Sequence, residues 1–191
     1  GYGDFPVPFQ RVERVEGEPV GVVEPAYRRN HLVGGTASSA FGSLSVRAEG
    51  IWNSAGWFTS TDLSTGGVAE SEEVATVLGL DWQRSSSSLV STQWFYSRAM
   101  DYRPAMVRNR SEQMLSLLLQ QGFANDSWEL RLLGLHSLEQ NDTLYQLRLK
   151  YWLATRLELW VGADIFTGDR LGLFGQFDDR DRVLAGMRLG F

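Results

Sequence analysis

The side chains with chemical potential in this sequence are charged residues set at alternate positions in apolar segments: Arg47, Glu49, Asp81, Glu129, Arg131, Arg148, Lys150, Glu158, Asp164 and Arg188. Successive residues of a strand point to opposite faces, so alternation collects these charges on one face and the neighbouring apolar residues on the other. Both signs share that face, which suits the passage or binding of small polar or charged solutes. Bond-making chemistry finds less support. His136, Ser137 and Glu139 are the residue types of a hydrolytic site, but adjacent strand residues face opposite ways, which separates His136 from Ser137. His31 reads as a strand-end residue. Asp178, Asp179 and Asp181 could meet a divalent cation, but they lack a histidine partner and read as a solvated loop. Gly34-Gly35 and Gly66-Gly67 match no phosphate-binding pattern. No catalytic residue, metal ligand or cofactor is expected.

Composition narrows the class. The chain has 191 residues, enough for one sizeable domain, and no cysteine, which removes disulfides and thiol chemistry. A net charge of −5 argues against nucleic acid as a partner. Aromatic residues are abundant, with seven Trp, six Tyr and ten Phe. No apolar run reaches the roughly 18–20 residues of a membrane helix. The chain opens at Gly1 without a secretory leader, as expected of a mature form or a fragment.

The charged positions require strands to hold them. Residues 1–28, interrupted by Pro6, Pro8, Pro19 and Pro25, read as an irregular, loop-rich segment. Residues 29–191 read as nine strands near 30–41, 44–53, 74–83, 88–100, 111–123, 128–139, 143–153, 157–167 and 182–191. The clearest sets Tyr145, Leu147, Leu149, Tyr151 and Leu153 against Gln146, Arg148, Lys150 and Trp152. Helix competes for 111–123, where 114–119 is nearly all apolar, but the turn residues at 124–127 and the strand that follows favour strand. The connections alternate in length. Those at 42–43, 84–87, 124–127 and 154–156 are tight, those at 54–73, 101–110 and 171–181 are long, and Asn141-Asp142 reads as a two-residue turn. Transmembrane barrels sort short turns and long loops in this way.

Aromatic placement agrees. Phe41, Trp82, Phe123, Trp128 and Tyr151 fall beside tight turns on the apolar parity, while Trp52, Tyr96 and Tyr145 fall toward the other strand ends. Two aromatic girdles are favoured at the two interfaces of a bilayer. The eight to ten residues between them, at roughly 3.3 Å each and tilted near 40°, span about 25 Å. An apolar outside demands a polar inside, so the charged positions are expected to line a lumen. A lipocalin-like soluble barrel would invert the faces. Pairing 143–153 with 157–167 through a three-residue turn places Leu153 opposite Leu157, Lys150 diagonal to Glu158 and Arg148 diagonal to Asp164, within reach of cross-strand ion pairs.

The final stretch, with Val183, Ala185, Met187, Leu189 and Phe191 on one face, resembles the C-terminal strand of Gram-negative outer-membrane barrels. That resemblance implies an assembly signal read by the barrel-assembly machinery. Residues 164–168, 173–177 and 181–183 and the ending 186–191, with Val46 to Gly50, are similar to a group of proteobacterial porin-like barrels in the style of alginate-export porins. The resemblance implies an outer-membrane location, a lipid bilayer with lipopolysaccharide as surroundings, and a pore or export role. Nine strands is odd for a single-chain bacterial barrel. Either residues 1–28 add a tenth, or the chain is the C-terminal part of a larger barrel, and the second is the expectation.

The fold expected is therefore all-β, an antiparallel up-and-down transmembrane β-barrel of nine or ten strands. The function expected is a porin-like channel or export barrel for small polar or charged solutes. The alternatives are a barrel-embedded hydrolase of lipase or protease type, distinguished by loss of activity in His136→Ala, and a structural or adhesive barrel acting through 54–73.

Overall fold

The structure, a computed structural model, describes residues 2–15 and 18–190, with side chains described for 7–10, 18 and 21–190. Ten strands follow one another along the chain: β1 (Tyr2–Val15), β2 (Glu18–Phe41), β3 (Leu44–Thr59), β4 (Val68–Ser85), β5 (Ser88–Ala99), β6 (Ser111–Phe123), β7 (Trp128–Ser137), β8 (Asp142–Ala154), β9 (Leu157–Thr167) and β10 (Arg182–Leu189). Each is hydrogen-bonded to its sequence neighbour in a single up-and-down antiparallel sheet, whose edges are β1 and β10. The sheet is not closed, but its topology is consistent with a barrel. The only helical elements among the described residues are two three-residue 3₁₀ turns, Leu63–Thr65 and Gly175–Phe177. The expectation of an all-β meander holds, and 111–123 is strand β6 rather than helix.

The irregular segment expected over residues 1–28 is instead strand β1 and the first half of β2, and it supplies the tenth strand. The prolines are accommodated by position. Pro6 and Pro8 lie on the edge strand, and Pro8 stands opposite Pro25, so two missing N–H groups fall on one rung. Other boundaries move as well. The long loop expected at 54–73 shrinks to 60–67, because β3 runs on to Thr59 and β4 begins at Val68. The two-residue turn expected at Asn141-Asp142 becomes a four-residue connection, 138–141, in which Asn141 takes a left-handed conformation (φ 49°) and Asp142 opens β8. Connections leaving even-numbered strands are short. Among those leaving odd-numbered strands, 60–67, 100–110 and 168–181 are long.

The chain divides into two compact units. The first comprises Gly1–Thr36, Glu49–Thr76 and Tyr96–Glu112, and the second Ala37–Ala48, Val77–Phe95 and Gln113–Phe191. The first has a small conventional core of Ala69, Ala99 and Met106, packed by Phe58 and Tyr102. In the second, no hydrophobic side chain among the described residues is fully buried. The buried polar residues there are Ser88, Ser91, Ser137, Asp142, Thr143 and Asp164.

That second unit is ordered inside out relative to a water-soluble sheet. Its apolar parity is open: Leu117 is 48 % exposed, Val161 51 % and Val183 85 %. Its polar parity is covered in part: Asp164 is at 0 % and Glu129, Arg148, Lys150 and Glu158 are half-buried, while Arg47, Arg131 and Arg188 stay exposed. Burying apolar area from water stabilises about 25 cal/mol per Å², and this row of exposed leucines and valines is area that the chain itself leaves uncovered. Three aromatics beside tight turns stack in sequence along this unit, Phe123 on Trp128 at 6.1 Å and Trp128 on Tyr151 at 4.5 Å between ring centroids.

Candidate functional site: the charged face

The register of the later strands decides which charges meet. β7 lies against β8 with Glu129 opposite Lys150 and Arg131 opposite Arg148. β8 lies against β9 with Arg148 opposite Gly162 and Gln146 opposite Asp164. β9 lies against β10 with Asp164 opposite Arg182 and Glu158 opposite Arg188. For β8 and β9 this is the register expected from sequence as far as Trp152. There a bulge releases Leu153, and Ala154, not Leu153, stands opposite Leu157.

Asp164 is the centre of the densest cluster. Its Oδ1 accepts from Arg148 Nη2 at 2.6 Å and from Gln146 Nε2 at 3.1 Å, and its Oδ2 accepts from Arg182 Nε at 2.7 Å. Arg148 also donates through Nη1 to the carbonyls of Leu147 (2.8 Å) and Ala163 (3.0 Å), and its guanidinium sits 6.0 Å from the Trp160 ring centroid. A glycine at 162 makes this possible. A Cβ there would lie 2.5 Å from Arg148 Cδ, so any side chain would displace the arginine from its course across the strand. The diagonal Arg148–Asp164 pair expected from sequence is therefore formed.

Lys150 does not reach Glu158 as expected. It pairs with Glu129 at 3.0 Å, which also accepts from Gln120 Nε2 at 3.0 Å. The reason is register: Glu129 is directly opposite, whereas Glu158 is diagonal and faces Arg188. On β3 and β4, Arg47 meets Asp81 at 2.9 Å, and Asp81 accepts from Ser91 Oγ at 2.5 Å. Of the expected face residues, Arg47, Asp81, Glu129, Arg148, Lys150 and Asp164 are drawn into pairs. Glu49, Arg131, Glu158 and Arg188 form no ion pair among the described residues.

The first unit holds a cluster of its own that alternation does not announce. Arg108, from the β5–β6 loop, donates to Glu73 (2.8 Å) and Ser97 (2.7 Å), bridges to Glu112 (3.2 Å) and lies 4.7 Å from the Phe58 ring centroid. Its only sequence signal is the i, i+4 spacing to Glu112.

The other candidates are placed as follows. His136 Nδ1 is 2.9 Å from Thr143 Oγ1, Ser137 is on the opposite parity, and Glu139 is taken by the Gln113 backbone N–H (2.6 Å) and Nε2 (3.1 Å), so the three are not brought together. Asp181 accepts from the Phe166 N–H, and among the described residues no group of three metal-ligating side chains converges. Val183, Ala185, Met187 and Leu189 are exposed along edge strand β10, whereas Phe191 lies outside the described residues.

One residue that sequence reasoning assigned to a turn governs a loop. The fully buried Asp142 accepts through Oδ2 from the N–H groups of Phe174 (2.6 Å) and Gly175 (3.3 Å), and Gln140 accepts from Leu173 N–H at 2.9 Å. Hydrogen bonds to a carboxylate contribute about 1.5–3 kcal/mol each. Asp142→Ala is therefore expected to loosen the 168–181 loop alone. Limited trypsinolysis at Arg170 should accelerate about tenfold or more while the strands stay protected. Equal cleavage rates in variant and parent would sink this role.

These features define a class by architecture: an antiparallel up-and-down β-sheet protein that carries an exposed apolar face and a paired, mixed-charge polar face. Compared with known proteins, the chain matches no family model, no curated protein and no solved structure.

Proposed function

We propose that this chain is an outer-membrane barrel that acts as a porin-like channel or export barrel for small polar or charged solutes. The inversion of the second unit carries the reading. An apolar parity open to the surroundings beside a polar parity that is half-buried and in large part ion-paired suits a wall with lipid outside and solute inside. The stacked aromatics near the tight turns suit the bilayer interface. In this reading the lipid bilayer, lipopolysaccharide and the assembly machinery are the partners, β10 carries the assembly signal, and the protein has no enzymatic activity.

The test is conductance of the refolded full chain in a planar bilayer. Stable, ion-selective steps are expected. Arg148→Gln with Lys150→Gln should shift selectivity toward cations, because Glu129 loses its counter-charge and Asp164 keeps only Arg182. A conducting protein with unchanged selectivity would remove these residues from the ion path. A folded, lipid-embedded protein without conductance would overturn the channel reading and leave a barrel acting through its loops.

A further inference from the structure

An open cleft of about 490 Å³ lies within the first unit. It is walled by Phe9 of β1, Arg28 of β2, Trp57 of β3 and Arg103 of the β5–β6 loop, with Val68, Ala69 and Glu70 of β4 on its remaining side. Its volume falls in the range of small-molecule sites and exceeds what a simple ion needs.

The cavity is built by defined contacts. The 3₁₀ turn at Leu63–Thr65 is capped by Asp62, whose carboxylate accepts from Ser64 N (2.9 Å) and Ser64 Oγ (2.6 Å). Those hydrogen bonds, the side-chain one foremost, hold the Asp62 carboxyl below its usual range. The turn ends at Gly66, with φ 76°, and a Cβ there would lie 2.8 Å from the Phe9 ring. Gly66 carbonyl accepts from Gln10 N–H at 2.6 Å, which ties β1 to this turn. Phe9 then meets Trp57 edge-on at 5.7 Å.

Two properties of the lining point to a ligand. First, its cations form no ion pair. Arg47, Arg108, Arg148 and Arg182 each hold a carboxylate, whereas Arg28 and Arg103 are in no ion pair among the described residues, Arg103 acting on the Asp62 carboxylate only through its charge. Arg28 instead stands over the rings of Phe9 (5.0 Å) and Trp57 (5.9 Å), a cation held ready over aromatic faces. With Glu70 on the wall, two arginines and one glutamate leave a net charge of +1. Second, the Trp57 Nε1–H is buried without an acceptor among the described residues. Such a donor is costly to leave unpaired.

We infer that this cavity binds a small ring-bearing monoanion, an aromatic or heterocyclic carboxylate. The carboxylate is taken by Arg28 and Arg103, the ring lies against Trp57 and the buried Val68 and Ala69, and Glu70 disfavours a second negative charge. This deepens the channel reading by naming the solute class met in this unit, and it rests on that reading for its purpose.

The experiment titrates the refolded full chain in detergent with benzoate, followed by tryptophan fluorescence. Saturable binding is expected, and Trp57→Phe should abolish the signal. Benzamide, a ring without charge, and acetate, a charge without ring, should bind at least about tenfold more weakly, as should benzoate to Arg103→Gln, since a lost charge-assisted bond is worth a decade or more. Glu70→Gln should admit the dianion phthalate. Retained strand circular dichroism shows that each variant is folded. Benzamide binding as well as benzoate, or Arg28→Gln/Arg103→Gln binding benzoate as the parent does, would overturn the inference, as would no benzoate binding at all. Bilayer recordings separate the two readings. Benzoate binding to an electrically silent protein overturns the channel alone, and an open channel indifferent to benzoate overturns this site alone.

Discussion

Asp164→Ala is expected to lower stability by about 3 kcal/mol, because it strands charges that the fold has already desolvated. Asp164 is fully buried and is the shared acceptor of Arg148 and Arg182. The two arginines do not contribute equally. The Arg182 side chain is 58 % exposed and regains water when the carboxylate goes, whereas Arg148 is 23 % exposed and remains threaded between the Leu147 and Ala163 carbonyls. Most of the loss is thus assigned to Arg148. Asp164→Asn, which keeps an oxygen acceptor for Arg148 but not the charge, should cost less than the alanine variant, and Arg182→Gln less than about 1 kcal/mol. Urea unfolding midpoints of the variants, reconstituted in vesicles, give the ranking. An Arg182→Gln loss equal to that of Asp164→Ala would move the centre of the cluster to β10.

The extent to which this cluster was legible in the sequence follows from strand parity. Because side chains alternate strictly, Glu129, Arg148, Lys150 and Asp164 could be assigned to one face without knowing how strands pair. Pairing is a harder quantity. Arg148 with Asp164 followed from the short β8–β9 turn, but Lys150 with Glu129 depends on the β7–β8 connection, whose length changed once Asp142 joined β8. The β8 bulge at Leu153 left no sequence mark, since it shifts only the last rung, Ala154 on Leu157, and spares the register from Thr143 to Trp152.

What remained hidden has two physical causes. Prolines at 6, 8, 19 and 25 oppose strand structure by removing N–H donors, yet an edge strand leaves one row of donors unused, and Pro8 facing Pro25 confines two losses to one rung. A pattern rule that scores each proline separately cannot see that arrangement. The cavity around Trp57 was hidden for a different reason. Its walls come from β1, β2, β3, β4 and the 100–110 connection, and only the tertiary contact of Gln10 with Gly66 brings Phe9 to it. The contacts of Asp142 with Phe174 and of Arg108 with Glu73 were invisible for the same reason, as each joins residues more than about 30 apart in the chain.

The second large effect tests the apolar face directly, through Leu147→Arg. Leu147 lies near the middle of β8, is 42 % exposed, and stands between Leu132 of β7 and Ala163 of β9 on the open parity. In water, an arginine at a half-exposed strand position extends into solvent, and the expected change is within about 0.5 kcal/mol. Against hydrocarbon the same residue costs about 2–4 kcal/mol near the midplane, and less toward the interfaces. The two surroundings therefore predict different magnitudes for one substitution, and depth adds a second axis. Leu153→Arg, at the tight-turn end of the same strand and 57 % exposed, should cost about 1 kcal/mol or less in a bilayer despite its greater exposure. Reversible unfolding from vesicles gives both values. A large loss at 147 and a small one at 153 places lipid against this parity with its midplane near Leu147. Two small, equal losses would mean that this face meets water, and the channel proposal would fall with it, whatever the charged face does.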